Sequence, residues 1–240
     1  MSNRYILGMI PARGGSKGIP DKNIFSLKGR PLIAYTIEAA KGSHLLDDFF
    51  VSTDSEVIAK AARAEGAKIP FIRPDEIADD DTPMISTLQH AIGWYEKKHR
   101  LKVTAVATLQ PTAPLRLASD IDDAISLFLR NPEADSLITC YNVIDAHPNY
   151  MYTRRGERMI SLTKERTVLR RQEFEPVYVR NGAVYISRRD LVMDEGRIVG
   201  DEPLGYIMPR DRSVNIDEPF DMELALFLLN RKSNDKRSGP

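Results

Sequence analysis

The 240-residue chain has one cysteine, Cys140, one tryptophan and no net charge, with 34 Lys and Arg balancing 34 Asp and Glu. A single cysteine excludes an intrachain disulfide framework and a cysteine-built zinc site. The zero balance excludes the global basic field of a nucleic-acid binder, so any anion site must be local. No apolar run is long enough to span a bilayer, and "RYILGMI" near the start is too short for the core of a signal peptide. Internal repeats and long low-complexity linkers are also absent. The expectation is a cytoplasmic protein of a reducing compartment, with neither a membrane nor a nucleic-acid partner.

What is present is an ordinary globular composition, 42% apolar and 28% charged, in a chain long enough for one domain with a sizeable core. Two periodicities alternate along its first 130 residues. "RYILGMI" (4–10) reads as a buried strand and "PLIAYTIEAAKG" (31–42) as a helix with Pro at its first position and Gly at its end. "DFFVSTD" (48–54) reads as a strand leading into the helix "SEVIAKAARAEG", with Thr53 and Asp54 as caps. "AKIPFI" (67–72) is a third strand, 84–98 a helix, 102–110 a strand, 119–130 a helix and 136–141 a strand. This alternation predicts an α/β fold, a mostly parallel sheet with helices on both faces.

The rhythm breaks at about 142–182, a polar, Arg-rich stretch in which "TRRGERM" reads as a hairpin turn. It is expected to be an inserted arm. The rhythm returns with "GAVYIS" (182–187), "LGYIMP" and the helix "PFDMELALFLLNRK". The single domain is expected to span 1–230, with a disordered tail at 231–240.

In open α/β sheets, ligands bind beyond the carboxyl ends of the strands. The unusual clusters lie there: "PARGGSKG" after the first strand, Asp54 after the second, "RPDE" after the third and "QPTAPLR" after the fourth. In "IPARGGSKGIPDKN" (10–23), Gly14 and Gly15 let backbone N–H groups approach a ligand closely. Arg13, Lys17 and Lys22 can neutralise phosphate oxygens. The stretch satisfies neither the Walker A pattern nor the Rossmann G-x-G-x-x-G.

Six ordered motifs together resemble the acylneuraminate cytidylyltransferases, the CMP-sialic acid synthetases. They are "IPARGGSKGIPDKN", "VSTDSEVIAKAA", "IRPDEIADDDTP", "LQPTAPLR", "NGAVYI" and "VNIDEPFD", and they cover residues 5 to about 226. The resemblance implies a Rossmann-like nucleotidyltransferase that joins CTP to a nine-carbon 2-keto sugar acid of the sialic, legionaminic or pseudaminic type and releases pyrophosphate. Its product would supply a cell-surface polysaccharide. It implies that Ala12, Arg13, Gly14, Gly15, Ser16 and Lys17 cradle the triphosphate, that Lys22 contacts phosphate, and that Asn23 and Arg73 lie near cytosine and ribose. Gln110, Arg171, Gln172, Asn181 and Tyr185 are implied at the sugar, with Arg171 at its carboxylate. Asp217 is implied as the ligand of Mg²⁺ or Mn²⁺. Arg13, Lys17, Lys22 and Asp217 would carry catalysis. The arm is implied to build a homodimer with shared active sites.

Some residues stay open on their own chemistry. The family pattern at the metal is D-x-D, and this chain has Asn215 at the first position, a neutral and weaker ligand that puts a second ion in doubt. Arg116 reads equally as a loop fastener, Asn181 as a turn residue and Tyr185 as core. His147, a lone His before Pro, reads as a loop residue rather than a base. The alternatives are transfer to an eight-carbon ulosonic acid, against which "GGSKGIP" speaks, and a nucleotide-binding module without turnover, for which only Asn215 speaks.

Overall fold

The computed structural model describes residues 4–15, 18–79, 82–143, 146–163 and 174–235, with side chains to Arg231. Ser16, Lys17, Arg171 and Gln172 therefore lie outside the described residues. Ten strands and six α-helices make up the described chain: β1 (Ile6–Pro11), β2 (Ser26–Leu27), β3 (Arg30–Pro31), α1 (Leu32–Gly42), β4 (Asp48–Ser52), α2 (Glu56–Ala64), α3 (Met84–His99), β5 (Ala105–Thr108), α4 (Ala118–Arg130), β6 (Ser136–Asn142), β7 (Tyr152–Arg155), β8 (Arg158–Ser161), β9 (Tyr178–Arg188), α5 (Arg189–Met193), β10 (Leu204–Ile207) and α6 (Pro219–Asp235).

The main sheet has the order β10-β6-β9-β5-β1-β4. Only β9 is reversed, pairing antiparallel with both β5 and β6, while its other neighbouring pairs are parallel. Alternate side chains of the central strands enter two separate cores. Ile6, Ile10, Val51, Ala107 and Val184 meet α1 and α4 on one face, with α2 adding Ile58 and Ala62. Leu7, Met9, Phe50 and Val106 meet α3 and α5 on the other. β1 is buried along its whole length because helices cover both of its faces, which is why it reads as a continuous apolar run.

A third, smaller core matters most for the site. Ile19 behind the Gly-rich loop, Leu115 of the "QPTAPLR" loop, Val214 and Ile216 before α6, and Met222 and Ala225 of α6 pack together. Segments far apart in sequence are thereby clamped at one end of the sheet.

Three expectations need correction. The expected strand 67–72 is not one. It makes a single parallel bridge, Thr53 to Ile72, plus the bonds Val51 N to Lys68 O (3.0 Å) and Arg73 N to Thr53 O (2.8 Å). Pro70 has no N–H to give a ladder and breaks the pairing. The cap of α2 is Ser55, whose Oγ accepts from Ile58 N at 3.4 Å, rather than Thr53 or Asp54. Pro31 is the N-cap of α1 rather than its first residue. In addition, α6 continues to Asp235, beyond the expected domain boundary at 230.

The expected hairpin is present. β7 and β8 pair across Gly156, at φ 62°, which adopts the left-handed conformation such a turn requires. The insertion leaves the sheet between paired residues, Asn142 on β6 and Tyr178 on β9.

Candidate active site

Because β9 is antiparallel, its first residues lie at the same end of the sheet as the carboxyl ends of β1, β4, β5 and β6. A cleft of about 370 Å³ opens there, lined by Arg13, Gly18, Lys22, Asn23, Arg73, Met84, Gln110, Thr112 and Asp217 with Pro11 and Pro111. Six of the residues expected at the site thus meet in one place: Arg13, Lys22, Asn23, Arg73, Gln110 and Asp217.

The loop after β1 is held from three sides. Asn23, buried, donates its amide N–H to Arg13 O at 2.9 Å. Gly14 N donates to Asp54 Oδ1 at 2.9 Å, joining this loop to the end of β4. Gly18 sits so tightly against the opposite wall that an added Cβ would lie 2.7 Å from Asp217 O. Gly15 has φ 65°, so the loop turns through a conformation open mainly to glycine. Ala12 continues the β1 pairing, with its N–H to Ser52 O at 3.0 Å.

Arg73 is buried, and Nη2 donates to Ser52 O at 2.6 Å while Nε reaches Ser52 Oγ at 3.3 Å. Burial lowers its pKa and nearby Arg13 adds to this, against the opposing pull of Asp54. The Arg73 and Arg13 guanidinium groups are therefore close enough to repel each other.

The far wall is the turn before α6. Lys22 Nζ donates to Ile216 O at 2.9 Å and to Asp217 Oδ1 at 3.2 Å. Asn215 Nδ2 donates to Asp217 Oδ2 at 2.6 Å, and Asn215 Oδ1 is buried without a partner. Asp221 caps the turn by accepting from Asp217 N and Glu218 N, both at 2.9 Å. Ile216 N donates to Thr112 O at 2.8 Å and ties this turn to the "QPTAPLR" loop. No group of three or more His, Cys, Asp or Glu that could hold a metal occurs among the described residues. The oxygens on offer are those of Asp217 and the orphaned Asn215 Oδ1.

A register irregularity in β6, between Ile138 and Cys140, lets β9 bulge at residues 181–184. Gly182 there has φ 70°, and a Cβ on it would lie 2.6 Å from Gln110 Oε1 and 3.3 Å from Asn215 Oδ1. The bulge therefore brings β9 against both Gln110 and Asn215. Asn181 is buried in the scaffold: its Oδ1 accepts from Thr139 Oγ1 (2.6 Å) and Ala183 N (3.1 Å), and its Nδ2 donates to Ser213 Oγ (2.9 Å). Tyr185 lies opposite Thr108 in the β5 pairing and is half-buried, with a pKa raised by burial against the opposing effect of Arg180. Neither of these two lines the cleft.

Arg116 is buried and fastens the loop through Nη1, to Gln110 O (3.2 Å) and Ala183 O (2.6 Å). His147 is a loop residue: its Nδ1 accepts from Asn149 N at 3.2 Å and its ring stacks on Phe174 at 4.6 Å. Asp54 is expected at the ligand end of a strand but with no role, and Asp221 is not among the expected site residues, although both shape the site. Asp54 follows a strand beside β1, and Asp221 lies three residues after Glu218, where a helix-start carboxylate caps.

A family model described as cytidylyltransferase matches residues 7–207. The chain is 31% identical over 229 residues to the pseudaminic acid cytidylyltransferase of Campylobacter jejuni, covering 95% of this chain and 98% of that one. It is 31% identical over 237 residues to the N-acylneuraminate cytidylyltransferase of Escherichia coli, where it spans 96% of its own length and 54% of the relative's. A solved CMP:2-keto-3-deoxy-manno-octonic acid synthetase complexed with CTP shares the fold at TM-score 0.70 and 17% identity, covering 95% of this chain and 99% of that one.

Proposed function

The chain belongs to the cytidylyltransferase family, and from that premise we propose that it transfers CMP from CTP to the anomeric hydroxyl of a nine-carbon 2-keto sugar acid, releasing pyrophosphate. The observation that carries this reading is the convergence of Arg13, Lys22, Arg73, Gln110 and Asp217 on one cleft beside a Gly-rich turn. In-line displacement at a phosphorus asks a protein for positioning and charge neutralisation more than for covalent chemistry.

In this reading Arg13, Lys17 and Lys22 neutralise the triphosphate, while Ser16 and the Gly14 and Gly15 backbone approach it. Asn23 and Arg73 border the cytidine end. Gln110 stands between nucleotide and acceptor, Arg171 and Gln172 belong to the acceptor side, and Asn181 and Tyr185 act there through the β9 scaffold rather than by lining the cleft. The Asp217 carboxylate and Asn215 Oδ1 are hard oxygens suited to Mg²⁺ or Mn²⁺, and the unpartnered Asn215 Oδ1 fits that use. A cation held there would draw charge from the phosphate oxygens. Only one of the two oxygen donors is charged, which favours a single ion.

The same reading makes the enzyme a cytoplasmic homodimer that supplies a cell-surface glycan. Two apolar surfaces support the dimer: Tyr152, Met159 and Ile160 on the hairpin, and Phe220 and Phe227 on α6, are all exposed. Sedimentation of the purified chain as a monomer at micromolar concentration would remove this part of the proposal.

The direct test is pyrophosphate release from CTP and Mg²⁺ with N-acetylneuraminic, legionaminic, pseudaminic and eight-carbon ulosonic acids. Release with one nine-carbon acid is expected. Release with the eight-carbon acid alone, or CTP binding without release from any, would overturn the reading.

A further inference from the structure

We propose that Arg116 is a positioning residue for transfer, a clip that sets the distance between Gln110 and the β9 bulge and so holds the nucleotide and acceptor sides in register. The inference rests on the proposed transfer reaction and on the contacts of one buried side chain.

Three arginines in this molecule can be compared. Arg189 grips Glu96 with Nε and Nη2 at 2.8 and 3.0 Å. Arg212 grips Asp120 with the same two nitrogens at 3.2 and 2.6 Å. In both, the side-on fork of the guanidinium holds a carboxylate bidentately. Arg116 has no such carboxylate. Its fork, Nε and Nη2, is buried and has no partner, while Nη1 alone works, bridging Gln110 O and Ala183 O. Asp120 is taken by Arg212 and by Leu117 N at 2.8 Å.

A buried charge that is only half satisfied is costly, and burial pushes the Arg116 pKa down to about 9 against the weaker pull of Asp120. As a device for stability alone it is poor. What it does is bridge two backbone carbonyls from different segments with one nitrogen. One belongs to Gln110, whose side chain lines the cleft, and the other lies next to Gly182. At Gly182 the two segments meet so closely that a Cβ would come within 2.6 Å of Gln110 Oε1. Pro111 cannot donate a hydrogen bond, and beyond Arg116 the Gln110 carbonyl accepts from Thr36 Oγ1 and Ala113 N, both at 3.4 Å and neither on β9. Arg116 is therefore the main polar link that fixes Gln110 against β9.

The test is a double-mutant cycle read by pyrophosphate release with CTP and whichever panel acid the wild type uses. Arg116→Lys keeps a positive charge but replaces the planar fork with a point charge. Its kcat is expected to fall by about 100-fold, the scale of a small misplacement of reacting groups, with the KM for CTP little changed. In a Gln110→Ala background the same substitution is expected to cost little more, because the link then positions nothing. Losses that multiply in the double mutant would overturn the proposal. Gly182→Ala, which pushes on Gln110 from the other side and leaves Arg116 in place, is expected to give the same kcat-selective loss. Hydrogen exchange provides a readout independent of turnover: in Arg116→Lys, amides at 112–113 and 181–184 should exchange faster together. Unchanged exchange at both would also overturn the clip. If the wild type is silent with every acid, the transfer reading fails, and the exchange experiment still decides whether the clip exists.

Discussion

The two ends of the central sheet treat buried polar groups in opposite ways. At the amino ends of the strands no such group among the described residues lacks a partner. Tyr95 Oη donates to Asp48 Oδ2 at 2.7 Å and lies 2.6 Å from Tyr5 Oη, Lys68 Nζ donates to Asp48 Oδ1 at 2.6 Å, and Asp47 accepts from Ile6 N at 2.6 Å. The Glu96–Arg189 pair closes the same end. At the carboxyl ends, Thr108 Oγ1, Asn215 Oδ1 and two nitrogens of Arg116 are buried without partners, and Arg73 is held near Arg13. The only other buried orphan among the described residues, His90 Nδ1, belongs to a ring packed on Phe71 and subject to the charge of Arg73. Native structures leave few such groups, and here they gather at the end of the sheet that carries the cleft.

The strongest way to break this contrast is Arg13→Ala. Removing one charge-neutralising donor should cost about 2.7–4 kcal/mol of transition-state stabilisation, a 100- to 1000-fold fall in kcat, with little change in melting temperature. A near-normal rate would remove Arg13 from the site. Next is Gly18→Ala, whose methyl would meet Asp217 O at 2.7 Å. Forcing the two walls apart should cost about 1–3 kcal/mol, seen as weaker CTP binding by calorimetry along with a lower melting temperature. A melting change with intact CTP affinity would show that the contact is only structural.

At the opposite end, Tyr95→Phe should lower stability by about 1 kcal/mol, the usual net value of a hydrogen bond, while leaving kcat unchanged. If turnover fell as it does for Arg13→Ala, the division between the two ends would be lost. The smallest effect is one of pH. Burial would raise the Asp48 pKa, but the bonds from Lys68, Tyr95 and Phe49 N outweigh it, and the pKa lies below the usual carboxylate value. A depressed carboxylate stabilises the fold above its unfolded pKa of about 3.9, and the contribution disappears as pH falls through the folded value. Urea melts between about pH 5 and 3 should show a shallower acid decline for Asp48→Asn than for the wild type; identical slopes would mean that Asp48 does not contribute.

Much of this was legible in the chain because the signals were local. A short apolar run before a Gly-rich, cationic turn identified β1 and its loop, and helix punctuation by Pro and Gly placed α1. No strand forms at 67–72, because the missing N–H of Pro70 outweighs the apolar pattern of the stretch. Asp54 stands at a strand end in the sequence, yet its bond to Gly14 depends on β1 and β4 being neighbours. Sequence spacing does not state that. Arg116 could be read either way from its position, since nothing local distinguishes a fastener from a ligand contact.

The sequence by itself determined the alternation of strands and helices, the chemistry of the Gly-rich loop and the side of the sheet on which the clusters would gather. Each rests on short-range periodicity or on the nature of single residues. Tertiary structure alone decided that β9 runs backwards between β5 and β6, that its bulge brings Gly182 against Gln110 and Asn215, and that Lys22 reaches Asp217 from 195 residues away. Those contacts arise from burying both faces of one twisted sheet, a condition on the whole chain that no local stretch encodes.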